Sequence, residues 1–212
     1  MKAPVGRPRE FDPEDFLNTA LECFWQKGYR STSMSDLMKA SGLASASIYK
    51  LYPDKRAIYL AALQQYINEG ISRGVKRDTD LSPEAALRET LEFVALLSSS
   101  SDGEKGCFTI SAASELLPGD KEVKGKVVYK FQCIINQLEK ILIKGQAQEV
   151  FRRDEEAKVM AVSIFMMLEG MRIYGKIQPD IEDLRKSNDF IVRSVLLNRC
   201  VDDKNLSMRA ST

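Results

Sequence analysis

Residues 33–51 read SMSDLMKASGLASASIYKL, two short helical phrases separated by a turn. Ser33 is a good N-cap residue, and Asp36 stands three positions on, where its carboxylate can reach back to the cap. The first phrase carries Leu37 and Met38 and runs to about Ser41. Gly42 suits a left-handed turn residue, after which Leu43 points back into a core. The second phrase spans about Ser45 to Leu51. Short helix, glycine turn and short helix is the helix-turn-helix pattern, in which the second helix enters the DNA major groove. Taken alone the pattern is weak, because ordinary all-helical packing produces it too.

The flanks extend the reading. Asp12-Pro13-Glu14-Asp15 opens a helix with a cap, a proline suited to the first position and two acids at the positive end of the dipole. Leu17, Ala20, Leu21, Phe24 and Trp25 give it one apolar face, and Gly28 closes it. Pro53-Asp54 punctuates before a long helix whose face includes Ile58, Ala62, Leu63, Tyr66 and Ile67, running towards Gly70–Gly74. Ser82-Pro83-Glu84 starts another, with the stripe Leu87, Leu91, Val94 and Leu97, and Ser98–Gly103 reads as a loop. A short helix over about Cys107–Leu117 stops at Pro118-Gly119. Longer ones follow over about Asp120–Val150, Asp154–Gly175 and from Pro179-Asp180 onward. Strand signals are nearly missing. The expectation is an all-α chain of about nine helices, an N-terminal three-helix helix-turn-helix domain ahead of a C-terminal helical bundle. The division expected is 1–53 for DNA, 54–76 as connecting helix and 77–212 for effector binding and dimerisation.

The 212 residues are 44% hydrophobic and 29% charged, the balance of a globular chain. Histidine is absent, which removes His-based nucleophile systems, His-ligated zinc and His-held haem. Enzyme is therefore the weaker class; an all-helical enzyme would have to use a carboxylate such as Glu115 or Glu169 as base. No cofactor or metal is expected. Cys23, Cys107, Cys133 and Cys200 form no C-x-x-C pair, which fits a reducing, cytoplasmic setting. Met1–Arg9 is basic without an apolar h-region, and the apolar run Val159–Leu168 is short for a membrane span and contains Ser163.

The face of the 45–51 helix offers Ser45, Ala46, Ser47, Tyr49 and Lys50. Small residues let the backbone approach DNA, hydroxyls bond phosphates or base edges, and Lys50 adds charge. Lys55 opens the next helix, where ammonium and helix N-terminus can meet a phosphate. Residues 1–60 hold nine Lys/Arg and seven Asp/Glu, so the charge support is modest. The sharper feature is the arm before the first helix: Arg7 and Arg9 can track a phosphate backbone or enter the minor groove, although a solvated tail reads the same way.

The run Gly28-Tyr29-x-x-Thr32-Ser33 and the run Ile48-Tyr49-x-x-Tyr52-Pro53-x-Lys55 make the match specific. Phe11–Leu63 resembles the DNA-binding domain of the TetR/AcrR family of bacterial transcriptional regulators. The resemblance implies phosphate contacts by Ser33 and Lys55, and recognition positions at Ser45, Ala46, Ser47, Tyr49 and Lys50. Two departures stand out: Ala44 where a capping Ser is frequent, and Lys50-Leu51 in place of a frequent His pair. It further implies a homodimer through the last two helices, double-stranded DNA with a palindromic operator as partner, and release by a small effector held within the bundle.

Phe93, Leu97, Phe108, Phe131, Phe165, Met166, Met167 and Tyr174 are candidates to line such a pocket, although each also fits plain core packing. The methionines favour a hydrophobic effector. The helix 155–174 is apolar nearly all round and so needs cover on more than one side. Cys107 follows Lys105-Gly106 at a helix start, where the helix N-terminus and a neighbouring ammonium favour thiolate reactivity. A Gly-Cys here recurs in a branch of the family, some of whose members sense oxidants or electrophiles; the plainer reading is a small buried hydrophobe.

Overall fold

The computed structural model describes residues 12–76 and 81–197; Arg7, Arg9 and Cys200 lie outside them. The helices in that range are α1 (Pro13–Lys27), α2 (Met34–Ser41), α3 (Ser45–Leu51), α4 (Lys55–Lys76), α5 (Pro83–Ser99), α6 (Phe108–Leu116), α7 (Lys121–Ala147), α8 (Ala157–Tyr174) and α9 (Ile181–Val195). Among the described residues the fold is all-α, with nine α-helices, two short 3₁₀ turns and one isolated bridge, Phe151 to Leu196.

Local chemistry sets the helix starts. The Asp12 carboxylate accepts from the Glu14 amide at 2.9 Å, Ser82 caps α5, and Asp120 and Asp180 cap α7 and α9. Asp54 accepts the Ala57 amide at 2.7 Å to open α4. On α1 the buried stripe is Phe16, Ala20, Leu21 and Phe24, rotated one position from the expected face so that Phe16 goes fully inside while Leu17 is half-buried.

Two cores result. The first joins α1–α4 to α6 and the start of α7 through an aromatic cluster. Tyr59 meets Phe24 edge-on at 5.1 Å and Phe108 at 5.5 Å, and Tyr66 meets Trp25 at 5.0 Å. The second lies between α5, α7, α8 and α9, around Leu87, Leu91, Leu138, Leu142 and Ile164. The N-terminal half of α4 therefore belongs to the helix-turn-helix core, while its C-terminal half runs along the bundle.

One expected loop is structured. α5 continues to Ser99, and Ser101–Lys105 winds as a 3₁₀ turn. Gly103 and Gly175 both press on the Ser98 backbone: a Cβ would meet the Ser98 carbonyl oxygen at 2.3 Å and 2.8 Å. Glycine at both positions lets the α5 end dock where a side chain would forbid it.

Candidate DNA interface and interhelical cavity

The helix-turn-helix is built as its residues dictate. Ser33 and Asp36 form a reciprocal capping box: the Asp36 amide donates to Ser33 Oγ at 3.1 Å, and the Ser33 amide donates to Asp36 Oδ2 at 2.8 Å. Lys27 pairs with Asp36 at 2.9 Å, and this contact together with Ser33 holds the carboxyl well below the usual carboxylate range. Gly42 is left-handed at φ 69°. α3 lacks a side-chain cap at Ala44 and is anchored through Ile48, which is fully buried. That anchor leaves Ser45, Ala46, Tyr49 and Lys50 exposed and Ser47 half-buried, so the five expected recognition positions share an accessible helix.

Lys55 and Ser33 point differently from the sequence expectation. The Lys55 ammonium turns inward, donating to the carbonyls of Tyr29 and Thr32, each at 2.8 Å, and lying 4.4 Å from the Tyr29 ring centre. The Ser33 hydroxyl is engaged with Asp36 at 2.6 Å. Both side chains thus shape the turn 28–33. Glu115 of α6 joins them, accepting from the amides of Tyr29 at 2.8 Å and Arg30 at 2.6 Å. Sequence reading considered Glu115 only as a base; its position 86 residues from Tyr29 concealed a tie from the bundle to the turn before α2.

Between α4, α5, α7 and α8 lies a cavity of about 130 Å³. Of the expected lining residues it contains Phe93, Leu97 and Cys107. The others are placed elsewhere. Phe108 is buried in the aromatic cluster against Tyr59 and Tyr66, and Phe131 packs on Phe165 at 5.0 Å in the second core. Met166, Met167 and Tyr174 are exposed, because α8 buries its Met160, Ile164, Phe165 and Leu168 side and turns these three outward.

The cavity's polar end was missed. Lys130 and Arg172 are both more than nine-tenths buried there, with Glu169 alongside. The signal was present: Lys130 falls in the α7 stripe of buried Val123, Val127 and Leu138 and half-buried Ile134, and Arg172 lies one turn from Leu168. The Arg172 guanidinium donates to the Gly106 carbonyl and, at 3.5 Å, to Ser98 Oγ. Cys107 has the Tyr66 hydroxyl at 3.7 Å and Lys130 Nζ at 3.9 Å from its sulfur. The ammonium beside the thiol is thus Lys130 rather than the expected Lys105, which instead pairs with Glu22 at 2.7 Å and Asp102 at 3.0 Å. Burial pushes the Glu169 carboxyl up, against the pull of Lys130 and Arg172, and its Oε2 has no hydrogen-bond partner. Among the described residues no cluster could hold a metal ion, and no helix is long and apolar enough to cross a membrane.

A capped helix, a left-handed glycine turn and an exposed polar second helix define a helix-turn-helix domain on a helical bundle. The sequence model for "Bacterial regulatory proteins, tetR family" matches residues 16–62. The chain is 26% identical over 189 residues to the HTH-type transcriptional repressor ComR of Escherichia coli (strain K12), covering 87% of this chain and 89% of that protein. It is 32% identical over 121 residues to the uncharacterized HTH-type transcriptional regulator YezE of Bacillus subtilis (strain 168), covering 56% of this chain and 62% of that one. Its fold matches the TetR family transcriptional regulator CifR, a cysteine mutant complexed with 26-bp double-strand operator DNA, with TM-score 0.76, 23% identity and coverage of 89% and 99%. Residues 16–62 thus form a tetR-family DNA-binding domain, and over most of its length the chain is similar to transcriptional regulators rather than to enzymes.

Proposed function

We infer that the chain is a cytoplasmic homodimeric repressor, released from a palindromic DNA operator by a small effector bound in the cavity. The observation that carries this reading is the double membership of α4. Its Ile58, Tyr59 and Ala62 sit in the helix-turn-helix core, while Tyr66, Gly70 and Gly74 line the cavity. A ligand that favours one position of α4 thereby biases the spacing of two recognition helices, which must lie about 34–36 Å apart to meet successive turns of DNA. Residues 1–53 act as the DNA-binding head, 54–76 as the connecting helix and 77–212 as the effector and dimerisation unit. Ser45, Ala46, Ser47, Tyr49 and Lys50 contact the DNA, and Arg7 and Arg9, outside the described residues, contribute charge to the phosphate backbone or the minor groove.

The test is fluorescence anisotropy on duplexes tiled from the DNA flanking the chain's own coding region. Binding should select a palindrome, and Lys50→Ala should change the ranking among duplexes. If Lys50→Ala and Tyr49→Ala both bind every duplex like wild type, the recognition helix is misassigned. A second reading is favoured by one observation, the Cys107 sulfur lining the cavity within 3.9 Å of a buried ammonium. In that reading the thiol is the sensor of an oxidant or electrophile. Cys107→Ser should then keep DNA binding but lose oxidant-induced release, whereas slow alkylation of Cys107 in the folded dimer and normal release by the variant would overturn it.

A further inference from the structure

The cavity is asymmetric in charge. Three cations line it, Arg73 at the exposed edge and Lys130 and Arg172 inside, against a single carboxylate, Glu169. Arg172 is already spent on the Gly106 carbonyl and Ser98. Lys130 is not: it is 7% exposed, and among the described residues its ammonium has a thiol sulfur at 3.9 Å and the Tyr66 ring at 4.2 Å, with the Glu169 carboxylate interacting from further off. No carboxylate oxygen lies within 4.0 Å of it among the described residues. A buried ammonium with such weak partners is costly unless an anion joins it. The remaining walls are mostly apolar, supplied by Ile71, Val94, Leu97, Ile134 and Leu168, with Thr90 and Gln137 the polar exceptions.

We propose that this cavity binds a small organic monocarboxylate, its carboxylate on Lys130 and its apolar body among Val94, Leu97 and Ile134. The proposal rests on the reading of the cavity as the effector site and names the class of effector. The size follows from the volume: a cavity of about 150 Å³ takes benzene, so 130 Å³ suits a single ring or a short aliphatic chain. Arg73 at the edge draws the anion in. Glu169 is the single carboxylate against these three cations, and burial pushes its carboxyl up against the pull of Lys130 and Arg172, so the cavity keeps an excess of positive charge for a ligand anion.

Isothermal titration of the DNA-free protein with benzoate, benzyl alcohol and benzylamine tests this directly. These probes share a ring and differ in charge. Benzoate should bind at least about tenfold more tightly than benzyl alcohol, the worth of one charge-assisted hydrogen bond, and benzylamine should bind most weakly. Lys130→Met should abolish the benzoate preference while leaving benzyl alcohol nearly unchanged, and Glu169→Gln should keep or strengthen benzoate binding. Equal affinities across the three probes, or a preference for benzylamine, would overturn the proposal without reliance on any variant. An unchanged benzoate affinity in folded Lys130→Met would do the same. The probe series is then repeated on the operator complex. Benzoate that binds the cavity but never releases DNA sustains the ligand class and overturns the effector reading, so the two failures are separable.

Discussion

Lys55 shows how a residue's type and its geometry can assign different work. A lysine opening a helix near DNA reads as a phosphate contact, yet here its ammonium bridges two carbonyls that end the α1–α2 turn. Lys55→Met should therefore destabilise the protein by about 2 kcal/mol in urea denaturation, since hydrogen bonds from charged groups contribute on that order. Its operator binding should weaken uniformly while the slope of log K against log salt stays put. A fall of about 0.9 in that slope would instead reveal a lost phosphate contact. Acid acts on neighbouring carboxylates. Arg56 holds Asp120 down to about 2, and Lys27 and Ser33 hold Asp36 lower than its ordinary value. Folded values below unfolded ones mean that this stability is complete above about pH 4 and is lost as pH falls towards 2. The melting temperature should drop across that window, and Asp120→Asn should drop less steeply. The capping box and Gly42 were legible in sequence because their partners lie within four residues. Lys55 with Tyr29, Glu115 with Arg30, and Lys130 with Cys107 were not, because their contacts span 26, 85 and 23 residues.

Among elements, periodicity located the helices well, and it failed where packing rather than pattern decides. The segment after Ser98 is polar and reads as loop, yet it winds into a 3₁₀ turn because two glycines admit the Ser98 backbone. α8 is apolar nearly all round, and sequence alone could not say which side faces the cavity; Met166 and Tyr174 turned outward while Glu169 and Arg172 line the pocket. Two glycine substitutions separate backbone strain from steric conflict. At Gly42 an added Cβ meets nothing within 4 Å, so Gly42→Ala should cost only the left-handed strain, about 1 kcal/mol. At Gly145 on α7 the Cβ would lie 2.0 Å from the Phe151 ring. Gly145→Ala must push a fully buried aromatic aside and should cost more, about 2–3 kcal/mol. Chemical denaturation of both variants checks the order, and equal losses would show that the Phe151 packing is slack.

For the whole molecule, the outer face of α8 carries apolar side chains at heptad spacing, and α9 adds an exposed aromatic. Val159, Met166 and Ile173 repeat every seven residues on α8, with Met167 and Tyr174 beside them, and Phe190 is exposed on α9 with Leu197 just beyond its end. Met166, Ile173 and Phe190 are each more than half exposed. A stripe of this size on a monomer would be wasteful, whereas two antiparallel copies would bury it as a two-fold interface of four helices. The proposed dimer would also account for α8 being apolar on both sides: one faces the cavity and second core, and the other would meet the partner copy. The double substitution Met166→Asp, Phe190→Asp places like charges across that two-fold axis and removes nothing from either core. It should yield a monomer by light scattering, with helix content unchanged in circular dichroism. Because one head meets only one half-site, operator affinity should fall steeply while single half-site affinity remains. A variant that stays dimeric would move the interface off α8 and α9. A monomer that still binds the full operator like wild type would mean that one head suffices, and spacing of paired heads could then not be what the effector changes.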